Sequence, residues 1–225
     1  MTLEELISRY KTEEYKFFKH VDKEGRLLKT YFIFEKHSDY LDKYLGFYKQ
    51  LPNLTEVIVY ASDGVFKLTN NGFEYFIRHN HQEMFLDREG NQRGVPFEIS
   101  KQVRENLIKR MNDILMAKNF DEIFNIVSDC KVKGFGELSI YDTSMRIASY
   151  LQIEPDKIYL HAGARKGMEI LEDKGYVKQG VSKKKYVEIN EMPIPMQDLK
   201  ADESEHMLCS MKDRMEMLES QNDRK

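Results

Sequence analysis

The stretch Asp129–Leu151, DCKVKGFGELSIYDTSMRIASYL, decides how the second half of this 225-residue chain is read. Gly134 and Gly136 bracket a single apolar residue, Phe135, between two segments of helical character, FDEIFNIVSDC (120–130) and LSIYDTSMRIASYL (138–151). Two glycines around an apolar residue permit a tight turn. The apolar side chain then anchors the loop, and bare amides at a helix start face outward, where they suit a phosphate. Lys131 and Lys133 flank that turn as further phosphate partners. A glycine turn with no ligand fits the same residues, so both readings stand at this point.

Working outward, the totals bound the protein class. The chain is 41% apolar and 32% charged with a net charge of −3, the composition of a soluble protein with a heavily ionised surface. No apolar run reaches the ~18 residues of a membrane span, and the N-terminus MTLEELISRY is unlike a signal peptide. A cytoplasmic protein without membrane contact is expected. Cys130 and Cys209 stand apart and unaccompanied, which predicts reduced thiols. Charge is uneven: residues 131–185 hold eleven Lys/Arg against seven Asp/Glu, whereas 186–225 hold five against ten. The basic excess falls on the segment with the glycine turn, as an anionic partner would require.

The pattern predicts an α+β chain in three parts: an N-terminal α+β unit (1–95) with a β-hairpin, a mostly helical domain (96–190), and a linker with a C-terminal amphipathic helix (191–225). Helical spacing runs from Thr2 to about Phe18, RLLKTYFIF (26–34) reads as a strand, and SDYLDKYLGFYKQL (38–51) as a helix. TEVIVYASDGVFKLTN (55–70) alternates and reads as a hairpin turning at Asp63-Gly64, closed by Asn70-Asn71-Gly72. LDREGNQRGVPFEIS (86–100) is an expected loop ending in a Ser100 helix cap. Helices are expected over 138–151, 155–160 and 164–174, with a short hairpin over 176–189. NEMPIPMQD (190–198) reads as a linker. Met207, Leu208, Met211, Met215 and Leu218 share one face of the last helix, which packs on its own core or docks a protein partner.

The segment 120–151 resembles the helix-hairpin-helix module of nucleic-acid-binding proteins. YDTSMRIASYL (141–151) further resembles the D-T-H-V-x-R-V-x-x-R-L stretch of helix-hairpin-helix base-excision glycosylases. In that family the Asp stabilises the sugar cation of a flipped nucleotide, so the resemblance implies Asp142 as the catalytic residue. The match has departures. Gly136 and Asp142 are six apart where the family has about twenty, Arg146 falls one position early, and Leu138 occupies the place of the lyase Lys. GFGELSIYDTSMRI (134–147) and YLHAGARKG (159–167) are also similar to uncharacterised bacterial proteins described as having an oxoguanine DNA glycosylase-like fold.

Ala162-Gly163-Ala164 forms a second small-residue turn, which predicts either a tandem phosphate-binding turn with Arg165 and Lys166 or a close-packed helix junction. His79-x-His81 offers two metal-ligand types, but no third ligand lies at completing spacing, so no metal and no cofactor are expected. The expected function is binding of nucleic acid, DNA in particular, with glycosylase-like activity left open. The expected contacts are Lys131, Lys133, Gly134, Gly136, Arg165 and Lys166. The rival classes are a protein-interaction or regulatory module with purely structural glycine turns, and a small-molecule enzyme built on Tyr141, Asp142, Arg146 and His161.

Overall fold

The computed structural model describes residues 1–87 and 89–221. In chain order these form α1 (Leu3–Thr12), β1 (Tyr15–Val21), β2 (Leu27–Phe34), α2 (His37–Lys49), α3 (Leu54–Asp63), β3 (Val65–Asn70), β4 (Phe73–Arg78), β5 (Phe85–Leu86) and β6 (Gln92–Arg93). There follow α4 (Phe97–Lys109), α5 (Met111–Met116), α6 (Phe120–Asp129), α7 (Glu137–Tyr150), β7 (Lys157–Tyr159), α8 (Ala162–Asp173), β8 (Tyr186–Glu188), α9 (Ala201–Ser210) and α10 (Lys212–Met215). The class is α+β, and its strands pair two by two: β1-β2, β3-β4, β5-β6 and β7-β8.

Contacts group the residues into two compact units whose limits differ from the three expected segments. One comprises residues 1–15, 35–39 and 155 onward, and the other 16–34 and 40–154.

In the second unit, α3 packs against α4 and α7, and α6 packs against α7. The alternation read over 55–61 as a strand is in fact this helix α3. Val57, Ile58 and Ala61 are fully buried on one face, a helical i, i+1, i+4 set. Its ends carry the signals that outweigh the β-branched run. The Asn53 side chain accepts the Glu56 N–H at 2.9 Å, and Gly64 stops the helix in the left-handed region at φ +70°. The hairpin lies one element later, β3 pairing β4 from Val65↔Arg78 to Asn70↔Phe73. Its turn is Asn71-Gly72, both at positive φ, the two-residue connection that matches strand twist. α4 begins at Phe97 after Pro96, so Ser100 lies inside the helix rather than capping it.

The first unit has its core between α1, α8, α9 and α10. Leu3, Leu6, Ile7 and Tyr10 join Met168, Leu171, Met207, Leu208, Met211 and Met215 there. The expected apolar face of the C-terminal helix is thus spent on its own core. Two expectations are corrected. Residues 157–159 are a strand, not helix, and pair with 186–188, so the hairpin expected within 176–189 does not form. NEMPIPMQD buries Met192 and Met196, because its prolines set helical turns that point the methionines inward.

Candidate functional site

The hairpin between α6 and α7 takes the geometry its residues imply. Asn119 caps α6 by accepting the Glu122 N–H at 2.9 Å, and the helix stops at Cys130. Phe135 is 3% exposed, while Lys131, Lys133, Gly134 and Gly136 are exposed around it. Gly134 sits at φ +96°, a conformation other residues adopt only with strain. Gly136 precedes the first residue of α7 and supplies no side-chain cap, so the first-turn amides of this 14-residue helix stay without a side-chain acceptor. A Cβ built at Gly136 meets nothing within 4 Å, so the space beside Gly136 itself is open. Glu137, the one acidic residue of that turn, is itself exposed.

From the third residue of α7 the environment changes. Residues 139–149 are all buried, including Asp142 and Arg146. The Arg146 guanidinium gives one N–H to the Tyr44 hydroxyl, another to the Ala61 carbonyl at 2.9 Å, and faces Asp142 Oδ2 at 3.5 Å. The same carboxylate oxygen lies 2.9 Å from His81 Nδ1 and 3.7 Å from His79 Nδ1. Burial alone would raise the Asp142 carboxyl, but the His81 ring beside it and the Arg146 guanidinium hold it well below the usual carboxylate range. Burial of the His79 imidazole, with the cationic groups about it, drives its pKa well below the ordinary value and keeps the ring neutral. Arg146 stays charged against its own burial because Tyr44, Tyr48 and Asp142 surround it.

The histidines ride on the turn that leaves β4, and that turn is tied down. The His79 N–H donates to the Gly64 carbonyl at 2.7 Å. The fully buried Lys19 ammonium donates to the Arg78 carbonyl at 2.6 Å and to Asn80 Oδ1 at 3.0 Å, and pairs with Glu83. His79 stacks on Tyr44 at 5.0 Å between ring centroids.

Arg165 and Lys166 belong to the other compact unit. Arg165 uses its guanidinium on backbone carbonyls, donating to Ser182 at 2.6 Å, to Lys184 at 3.0 Å and to Leu160. Lys166 is exposed and lies 3.5 Å from Glu169. The neighbouring glycines support the close-packed reading of that turn. A Cβ on Gly163 would come within 2.4 Å of Cys209 Sγ, and one on Gly167 within 2.3 Å of the Leu208 carbonyl oxygen. His161 is buried there with Nε2 3.4 Å from Glu205 Oε1, so it does not share a unit with Asp142.

Of the expected contacts, the structure therefore brings together Lys131, Lys133, Gly134 and Gly136, with Asp142 deeper along the same helix. Sequence reasoning dismissed His79-x-His81 because no third ligand lay nearby in the chain. The third group is Asp142, 61 positions from His81 and beside it in space. The one available signal was the H-x-H spacing at a strand end, where residues two apart leave on the same side. No family model matches the chain, and no curated protein or solved structure shows significant similarity to it.

Proposed function

We propose that the protein binds nucleic acid, DNA in the first instance, by gripping a phosphate at the α6–α7 hairpin in the manner of a helix-hairpin-helix module. The observation that carries this reading is the division of labour in Gly134-Phe135-Gly136. The phenyl ring is buried while both glycines are exposed, and Gly136 has open space beside it at an uncapped helix start. Backbone amides with the positive end of the helix dipole attract a phosphate oxygen. Lys131 and Lys133 add charge beside it. Contacts of this kind position a duplex without reading its sequence. The reading assigns no reaction to Asp142, whose carboxylate is buried and already engaged by His81 and Arg146.

The test is fluorescence anisotropy of a labelled duplex across a salt series. Each phosphate contact contributes about 0.9 to the slope of log affinity against log salt. Lys131→Ala/Lys133→Ala protein should show a slope shallower by about 2. Absence of binding to the unaltered protein at low salt overturns the reading.

One observation favours the rival class. Leu27, Tyr31 and Ile33 of β2 are 54–68% exposed, with the Phe18 ring of β1 tilted against Tyr31 at 4.9 Å between centroids. An exposed apolar sheet face of this kind is a feature of protein-docking modules.

A further inference from the structure

We propose that His79, His81 and Asp142 form a binding site for a single divalent transition-metal ion, of the zinc, iron or cobalt class. One ligand atom from each of the three lies within 4.8 Å of the others, and among the described residues no other such group of histidine, cysteine and carboxylate side chains occurs. Ligands held ~2.1 Å from an ion at tetrahedral to right angles stand about 3.0–3.4 Å apart. The carboxylate oxygen already lies 2.9 Å from one imidazole nitrogen and 3.7 Å from the other, and with all three ligand atoms inside 4.8 Å of each other modest side-chain shifts close the site.

The chemistry of the donors selects the ion. Two imidazoles and one carboxylate favour first-row transition ions over magnesium or calcium, which prefer all-oxygen shells. Three protein ligands leave at least one position for water or another oxygen ligand, the arrangement of catalytic rather than structural sites. That position has a way in. The His81 side chain is 30% exposed, whereas those of His79 and Asp142 are about 10% exposed.

The surroundings are built for rigidity. The buried Lys19 fixes the turn on both sides of the histidines, through Arg78, Asn80 and Glu83. Arg146 remains as the outer partner of the ligating carboxylate, a role that orients ligands in metal sites generally. Its positive charge also favours an anionic group in the open position, such as hydroxide, a carboxylate or a phosphate oxygen. Two contacts give way when the ion enters. They are the 2.9 Å bond between His81 and Asp142, and the 3.3 Å bond from the His81 N–H to His79 Nδ1.

The experiment uses the full chain, freed of any affinity tag and stripped with a chelator, then dialysed against zinc or cobalt(II). Metal content is counted by mass spectrometry and the cobalt coordination is read from its visible absorption. One ion per chain, an intense four- or five-coordinate cobalt spectrum and a zinc-dependent rise in melting temperature are expected. His81→Ala and Asp142→Asn should each weaken binding at least about 100-fold, the upper end of what changes to outer partners alone produce. His20→Ala, at an exposed strand position, should leave it unchanged. Binding well below one ion per chain by the unaltered protein overturns the proposal whatever the variants do. So does a folded His81→Ala protein that binds like the parent.

Discussion

Asp142 and Arg146 face each other one turn apart on α7, with the carboxylate oxygen 3.5 Å from a guanidinium that has no exposed surface. Removing one partner of such a pair strands the other in a low-dielectric interior. Asp142→Ala should therefore lower unfolding free energy by about 3–5 kcal/mol. Asp142/Arg146 double replacement by Ala and Met should cost less than the sum of the single changes. Urea denaturation followed by circular dichroism measures both, and strictly additive losses would show that the two charges are not coupled.

The glycines separate into two kinds by what a methyl group would meet. Gly136→Ala has open space and an ordinary backbone, so stability should change by no more than about 0.5 kcal/mol. Its methyl group stands where the phosphate is proposed to sit, so duplex affinity should fall about tenfold, roughly 1.4 kcal/mol. Gly167→Ala drives a Cβ against the Leu208 backbone and should cost about 2–3 kcal/mol as α8 and α9 are pushed apart. Thermal melts and anisotropy on the two variants test the distinction. A Gly136→Ala protein that binds as the parent does removes Gly136 from the phosphate contact.

Arg165 gives a third contrast. Its guanidinium satisfies carbonyls of Leu160, Ser182 and Lys184, a fork that a lysine ammonium cannot span. Arg165→Lys should cost about 2 kcal/mol of stability. Lys166→Ala, on an exposed side chain, should cost almost nothing. If both variants melt like the parent, the carbonyl fork contributes little to the fold.

His37 predicts a pH dependence. Its ring packs between Tyr10 and Tyr15 at 5.1 and 4.7 Å, with His206 at 6.0 Å. Burial lowers its pKa to about 4, with the Arg214 charge adding and Glu13 opposing. Between pH 6.5 and 4 the unfolded chain then binds the proton that the folded chain refuses. Stability contributed by the neutral ring is complete above pH 6.5 and falls as pH drops towards 4. Discounted for partial solvent screening, the loss should be about 2 kcal/mol. Comparing melts at pH 7 and pH 4.5 for parent and His37→Asn isolates it from the carboxylates, and equal slopes would exclude His37 as the source.

Much of this arrangement was legible where local signals agree. The glycine pair and the Met-rich face of 207–218 each announce their element, and the structure puts turn and helices there. Reading failed where two periods fit the same letters. Val57, Ile58 and Ala61 satisfy a strand over five residues and a helix over ten, and only the caps at Asn53 and Gly64 decide. Residues 155–160 were misread because a three-residue strand depends on a partner thirty positions away, not on its own pattern. The grouping of His79, His81 and Asp142 lay beyond any local rule, since it exists only once α7 is packed in the same unit as the β3–β4 hairpin.

The first compact unit has a consequence for the order of events during synthesis. Its core joins α1 at the start of the chain to α8–α10 near the end, and the Met1 ammonium reaches Glu219 at 3.3 Å. The ribosome emits Leu3, Leu6, Ile7 and Tyr10 long before their partners Met207, Leu208, Met211 and Met215. The contiguous stretch 40–154 is free to fold while translation continues, whereas α1 must wait with its apolar face uncovered. Its apolar residues find their cover only when residues 201–215 have been made.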